Sequence, residues 1–145
     1  MDSLKKFEFL EHTADVYIAS YGKTIEEAFE NAAIAMFEVM TETNKIDPRI
    51  EESILVEAED EFGLLYNWLE ALLVHFETKN QLLSRFKIFS IEKNSRSFIL
   101  KARVWGESFD PKKHVQKVGV KAVTYHRMEI IKKQDKVTLE FILDI

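Results

Sequence analysis

Residues 11–36 read EHTADVYIASYGKTIEEAFENAAIAM, and a strand and a helix meet within them. Val16, Tyr17, Ile18, Ala19, Ser20 and Tyr21 form an alternating run of strand type, entered through His12, Thr13, Ala14 and Asp15. Gly22 breaks the strand. Thr24 and Glu27 then form a capping box, in which the hydroxyl accepts from the Glu27 amide while the carboxylate reaches back to an orphan donor. A helix therefore starts here and is read over residues 24–43. Ile25, Ala28, Phe29, Ala32, Ala33, Met36, Phe37 and Met40 fall at the spacing of one buried face, with Glu26, Glu30 and Glu38 mostly off it. The acidic first turn suits the positive end of the helix dipole.

Working outward, residues 5–11 (KKFEFLE) alternate briefly as a first strand, and NKIDPR at 44–49 is a connection. Residues 53–59 read as a strand. Asp60 is an N-cap for a second helix in which Leu64, Leu65, Trp68, Leu69, Leu72, Leu73 and Phe76 recur at helical spacing, and Asn80 is its C-cap. Further strands are expected over 82–92, 97–105, 121–132 and 136–143, with hairpin joints at 94–96 and 133–135 and a main loop at 106–114 that exposes Lys112 and Lys113. Two separated helices among hairpin-linked strands imply an α+β fold: one domain over 1–145, with two amphipathic helices packed on a mainly antiparallel β-sheet.

Composition agrees. A chain of 145 residues with 46% hydrophobic and 31% charged residues, four Gly and two Pro is a compact globular domain. The absence of Cys removes disulfide, zinc-thiolate and cysteine-nucleophile chemistry and suits the cytoplasm. No apolar run is long enough for a signal peptide or membrane helix. The net charge of −5 conceals a segregation: residues 101–136 hold ten Lys/Arg against four Asp/Glu. Such a segment is either a solvated Lys-rich face or a surface for an acidic partner or nucleic acid.

Familiar enzyme signatures are missing. YGKT at 21–24 lacks the glycine-rich turn of a phosphate loop, and no HExxH, Gly-x-Ser-x-Gly or EF-hand spacing occurs. What remains is an oxygen-rich set at the two ends of the chain: Asp15 at a strand entry, Asp144 at the end of VTLEFILDI, and the carboxylate of Ile145. If a neighbouring pair of antiparallel strands brought them together, they would repel unless protonated or bridged by a cation. Hard oxygen donors favour Ca²⁺, Mg²⁺ or Mn²⁺. Spacing alone favours the plainer reading, in which Asp15 caps a turn and Asp144 ends a frayed terminus.

HTAD, a short strand, YGKT and EEAFENAA, followed far downstream by GESFDPKKH and KAVTYH, resemble the signatures of the archease family, small proteins that assist tRNA-splicing RNA ligases of the RtcB type. The resemblance spans nearly the whole chain, although residues 45–100 match only in pattern. It implies a non-catalytic cofactor that promotes GTP-dependent guanylylation and multiple turnover of the ligase and widens its nucleotide use. It also implies that Asp15 and Asp144 bind a divalent ion through their side chains, with Ile145 contributing its backbone or terminal carboxylate. Calcium is the ion expected in a structure, with Mg²⁺ or Mn²⁺ as alternatives. Lys121, His126 and His12 are candidates for bonding the acidic cluster or contacting the partner. Two other readings stand beside this one. The basic 101–136 segment would serve an RNA-binding or tRNA-methyltransferase-chaperoning module, whereas Asp15, His12 and Asp144 would serve a metal-dependent hydrolase.

Overall fold

Residues 5–10 and 15–145 are described by a computed structural model. In chain order they form β1 (Phe7–Leu10), β2 (Val16–Gly22), α1 (Ile25–Met40), β3 (Ile50–Ala58), α2 (Glu61–Lys79), β4 (Gln81–Lys93), β5 (Phe98–Ser108), β6 (Ala122–Val123), β7 (Glu129–Lys133) and β8 (Lys136–Asp144), with a 3-10 turn at Thr43–Lys45. The fold is α+β, and the strand pairs are antiparallel as expected. They build two sheets rather than one. The first has the order β1-β2-β8-β6 with β7 also paired to β8, and the second has the order β3-β5-β4.

Helix α1 packs on β2 and β8 of the first sheet and on β4 of the second. Its burial is correspondingly wider than a single stripe. Asn31, Ala35 and Val39, off the expected face, are buried along with Ala28, Phe29, Ala32, Ala33, Met36 and Phe37. A helix covered on more than one side must be apolar on more than one side. Glu30 illustrates the cost: half-buried, its carboxylate accepts the Ile88 amide at 2.8 Å. Burial raises its pKa against the opposing effect of that hydrogen bond.

The ends of α1 are set by side chains. Thr24 Oγ1 accepts from the Glu27 amide at 3.1 Å, and the Glu27 carboxylate accepts from the amide of Lys23, one residue before the cap, at 2.9 Å. The helix ends at Met40, short of the expected 43, because Glu38 takes the Thr43 hydroxyl (2.7 Å) and amide (3.2 Å) and draws the chain into the 3-10 turn. Its orphan carbonyls find partners far along the chain. The Lys117 amide reaches Met40 O at 3.0 Å, and Lys117 Nζ reaches Glu38 O at 3.1 Å.

Helix α2 begins at Asp60, which accepts from the Gly63 amide at 2.7 Å, and ends at Asn80 in the left-handed conformation, φ 56°. Trp68 is fully buried, and its indole N–H donates to Phe29 O of α1 at 2.9 Å. The two helices are thus joined by a directed bond as well as by packing.

Several strand boundaries differ from expectation, and β3 begins at Ile50, three residues before its expected start. β5 continues through Ser108, taking Gly106 and Glu107 out of the expected loop and into the sheet. Gly106 is required there, since a Cβ would lie 1.8 Å from the Leu82 carbonyl oxygen. The strand expected over 121–132 is two short strands, β6 and β7, both paired to β8 and separated by a turn in which Arg127 has φ 56°. Next to that turn Tyr125 stacks on Tyr66 of α2, with ring centroids 4.4 Å apart. The stack turns the chain out of one strand before it enters the next.

Gly106→Ala is expected to lower the free energy of unfolding by roughly 1–3 kcal/mol, because the clash is with backbone on the paired strand β4. Urea denaturation checks it, and an unchanged midpoint would refute the close-approach argument.

Candidate functional site

Strand β8 joins the distant ends of the chain. Its register on β2 pairs Val16 with Leu143, so the same antiparallel count sets Asp15 opposite Asp144. On the other edge of β8, β6 pairs Ala122 with Asp144, and the Lys121 amide donates to Asp144 O at 2.7 Å. Thr124 adds a hydroxyl bond to Ile142 O at 2.9 Å. Ile145 is partly buried against the hydrophobic core. The terminus is therefore held by backbone pairing and by its own side chain, and Asp144 is exposed without being frayed.

Of the expected site residues, Asp15, Asp144, Ile145 and Lys121 belong to this one end of the five-stranded sheet. Lys121 contributes its backbone amide there, while its side chain is exposed. His126 does not lie in a strand: it occupies the exposed turn between β6 and β7. His12 lies outside the described residues. Among the described residues no three His, Asp or Glu side chains form a group able to hold a metal.

A second polar cluster escaped the sequence reading. Glu107, buried at the end of β5, receives the Asp47 amide at 2.8 Å, Lys113 Nζ at 2.7 Å and His114 Nε2 at 2.9 Å. The buried His114 accepts the Asp110 amide on Nδ1 at 2.9 Å, which leaves Nε2 as the protonated nitrogen that donates to Glu107. Lys113 also bonds Asp47 at 2.7 Å. The turn is shaped by Asp110, whose side chain accepts from the Lys112 amide and whose carbonyl accepts from the His114 amide. Lys113 is exposed as expected, and its ammonium is also committed to two carboxylates. The signal was present in GESFDPKKH, where one carboxylate precedes a Pro turn and a Lys-His pair, but its meaning depends on Asp47, sixty residues away in sequence.

The basic 101–136 segment does not make one surface. Lys113 pairs with Asp47 and Glu107, Lys117 with Glu38, Lys132 with Glu61, and Arg103 with Glu51. These four of its ten cations thus lie opposite carboxylates on different parts of the molecule. This counts against a single docking face built from the whole segment.

Comparison with known proteins decides the family. Residues 7–145 match the family described as "Archease protein family (MTH1598/TM1083)". The chain belongs to the archease family. Protein archease of Sulfurisphaera tokodaii is 46% identical over 142 residues, covering 98% of this chain and 100% of that one. The Pyrococcus abyssi archease is 45% identical over 132 residues, covering 91% and 92%. The solution structure of Methanobacterium thermoautotrophicum protein 1598 superposes with a TM-score of 0.85 at 39% identity, covering 97% of this chain and 99% of that one. A Thermotoga maritima crystal structure, described as "an archease, possible chaperone", shares the fold at TM-score 0.59 and 18% identity, over 95% and 96% of the two chains. Among the described residues of this archease no helix is long and apolar enough to cross a membrane.

Glu107 gives this archease a pH signature. Burial alone would raise its carboxyl, but the bonds from Lys113, the Asp47 amide and His114 outweigh it and pull the pKa from 4.5 to about 2. A carboxylate depressed in the folded state contributes stability above its unfolded pKa and loses it as pH falls through the folded one. The melting temperature should therefore fall as pH drops from about 4.5 to about 2, and Glu107→Gln should flatten that part of the profile. At neutral pH the same variant should cost roughly 1–3 kcal/mol, since Lys113 and His114 lose their acceptor charge. Calorimetric pH profiles of the two proteins test this.

Proposed function

We propose that this archease is a non-catalytic protein cofactor of an RtcB-type tRNA-splicing RNA ligase, promoting its GTP-dependent guanylylation and so its repeated turnover, with a widened choice of nucleotide as a further effect. The reading rests on family membership and, for the working part, on one observation: the β2–β8 register carries Asp15 to the position opposite Asp144. Two carboxylates at one sheet end repel each other, and a shared cation relieves that repulsion. The donor chemistry fits a hard divalent ion, Ca²⁺, Mg²⁺ or Mn²⁺, because carboxylate oxygens suit those ions and the site has no thiolate.

In this mechanism Asp15 and Asp144 hold the ion through their side chains and Ile145 through its carboxylate. Backbone pairing of Asp144 to β6 and burial of the Ile145 side chain fix those donors in place before the ligase arrives. The bound ion would supply positive charge to nucleotide phosphates in the ligase active site. The Lys121 amide steadies the strand end by bonding Asp144 O. His126, exposed on the adjacent turn, is the candidate ligase contact in this reading.

The test is guanylylation of an RtcB-type ligase with GTP and Mn²⁺, with limiting ligase so that turnover is read. Wild type should accelerate the reaction. Asp15→Ala, Asp144→Ala and a chain extended past Ile145 should each lose most of that acceleration, by about tenfold or more, while melting like wild type. In a separate measurement without ligase, Ca²⁺ or Mn²⁺ should raise the melting temperature of wild type and not of Asp144→Ala. A wild type without effect on the ligase would overturn the cofactor reading.

A further inference from the structure

The sheet β3-β5-β4 turns one side to the helices and the other outward, and the outward side is not an ordinary charged surface. Its alternating positions come into register in rows across the three strands. Trp105 stands between Glu51 and Arg85, and Arg103 between Ser53 and Lys87. Lys101 stands beside Leu55, and next to it a register shift in β4 leaves Phe89 as the extra residue between Ile88 and Ser90. A bulge of this kind aims the unpaired side chain outward. Phe89 is 59% exposed and Leu55 67% exposed, large values for apolar side chains on a sheet. Together with Ser53, Lys101 and Arg103 they line a shallow depression of about 520 Å³.

The rings and the cations on this face are interleaved. The Arg85 guanidinium lies 5.0 Å from the Trp105 ring centroid, and that of Arg103 lies 5.9 Å from that of Phe89. Glu51, the one carboxylate in these three rows, accepts from Trp105 Nε1 at 2.9 Å and from Arg103 at 3.1 Å; the next row on the same face sets Ile99 between the exposed Glu57 and Glu92. Glu51 fixes the ring and the guanidinium in place instead of neutralising the face. Lys101 has no hydrogen-bond or ion-pair partner among the described residues. The three rows thus hold four cations, Arg85, Lys87, Lys101 and Arg103, against one carboxylate, in a protein whose net charge is −5.

We propose that this sheet face binds single-stranded RNA. Nucleobases present flat π-faces that stack on aromatic rings and on guanidinium planes, and the backbone between them presents a phosphate at each step. Phe89 and Trp105 with their covering arginines are the stacking platforms. Lys87, Lys101, Arg85 and Arg103 meet the phosphates. An acidic protein segment would satisfy the cations but leave the interleaved rings without a matching chemistry. The proposal uses neither the acidic sheet end nor the ligase, so it stands or falls apart from the cofactor reading.

The experiment follows fluorescence anisotropy of a labelled single-stranded RNA of about 12 nucleotides against the intact protein at rising salt, with tryptophan emission recorded in parallel. Trp68 is fully buried, so any quenching on RNA addition reports Trp105. Wild type should bind with a slope of log K on log salt of about −2 to −3, as four cations meeting a single strand require. Phe89→Ala should weaken binding about tenfold. Lys87→Ala with Lys101→Ala should weaken it at least as much and make the slope shallower by about 1.4. Lys112→Ala with Lys133→Ala, which removes exposed lysines elsewhere, should bind as wild type does. Circular dichroism establishes that each variant is folded. Three results would overturn the proposal: no binding at low salt, equal loss in the control variant, or equal binding of polyglutamate without Trp105 quenching. The last would make the face a docking site for acidic protein.

Discussion

The constraint on which the structure depends is the burial of α1 on more than one side. A helix that presents Ala28, Ala32, Ala33 and Ala35 alongside Phe29, Met36 and Phe37 cannot be satisfied by a single sheet beneath it. Small residues let β2 and β8 approach closely, and the large ones reach toward β4 and α2. The aromatic contacts show the second half of that arrangement, with Phe37 stacked on Phe86 of β4 at 5.9 Å and Phe86 meeting the edge of Trp68 at 6.2 Å. Burial of this extent supplies most of the favourable free energy of such a domain. It also forbids loose ends at the helix termini. Thr24, Glu38 and Lys117 therefore serve α1 although none of them belongs to the core.

Strand β8 performs the same unifying role for the first sheet. It pairs with β2 along one edge and with β7 and then β6 along the other, so residues from the beginning and the late middle of the chain converge on the last strand. A position near the end of β8 is ordinarily prone to fraying. Here the Lys121 amide, the Thr124 hydroxyl and the packed Ile145 side chain counter it. The order of the strand end is what lets a pair of acidic residues be held at fixed positions.

Much of this was legible in the sequence, for physical reasons that differ by element. Thr24 with Glu27 and Asp60 with Gly63 are local, so the starts of both helices could be read from neighbouring residues. Alternation revealed β3, whose two faces differ in burial along its whole length, and β2 and β8, which alternate in part and are buried on both faces where they pass the core. The failures involve non-local partners. The carbonyls at the end of α1 are met by Lys117 once Glu38 has drawn in Thr43, the extension of β5 goes with the close approach of Leu82 to Gly106, and the break between β6 and β7 accompanies the Tyr125 stack on Tyr66. The division into two sheets has the same origin, since alternation shows that a strand has two faces but not which strand lies beside it. At the site, the meeting of Asp15 with Asp144 was expressible as a condition on strand pairing, and β2–β8 pairing fulfils the geometric part of it. The Glu107 cluster was not expressible in this way, because nothing near Asp47 marks its amide as a partner.

Charge shows why a one-dimensional reading can mislead in both directions. Residues 101–136 carry a surplus of cations, yet Lys113, Lys117 and Lys132 are each opposed by a carboxylate from another part of the chain. Those three charges are answered when the chain folds. Arg85 and Lys87 lie outside that segment, in a stretch with no conspicuous basic run, but strand register brings them beside Lys101 and Arg103. The surplus that survives folding is set by strand register and by which acidic residues fall opposite, not by proximity in sequence. Because side chains alternate across a strand, the cations of the outward face cannot reach the carboxylates on the inward one. A bulge at Phe89 then adds an aromatic ring beside Leu55 and Lys101, and the face acquires a chemistry that neither the composition nor the linear charge pattern of the chain displays.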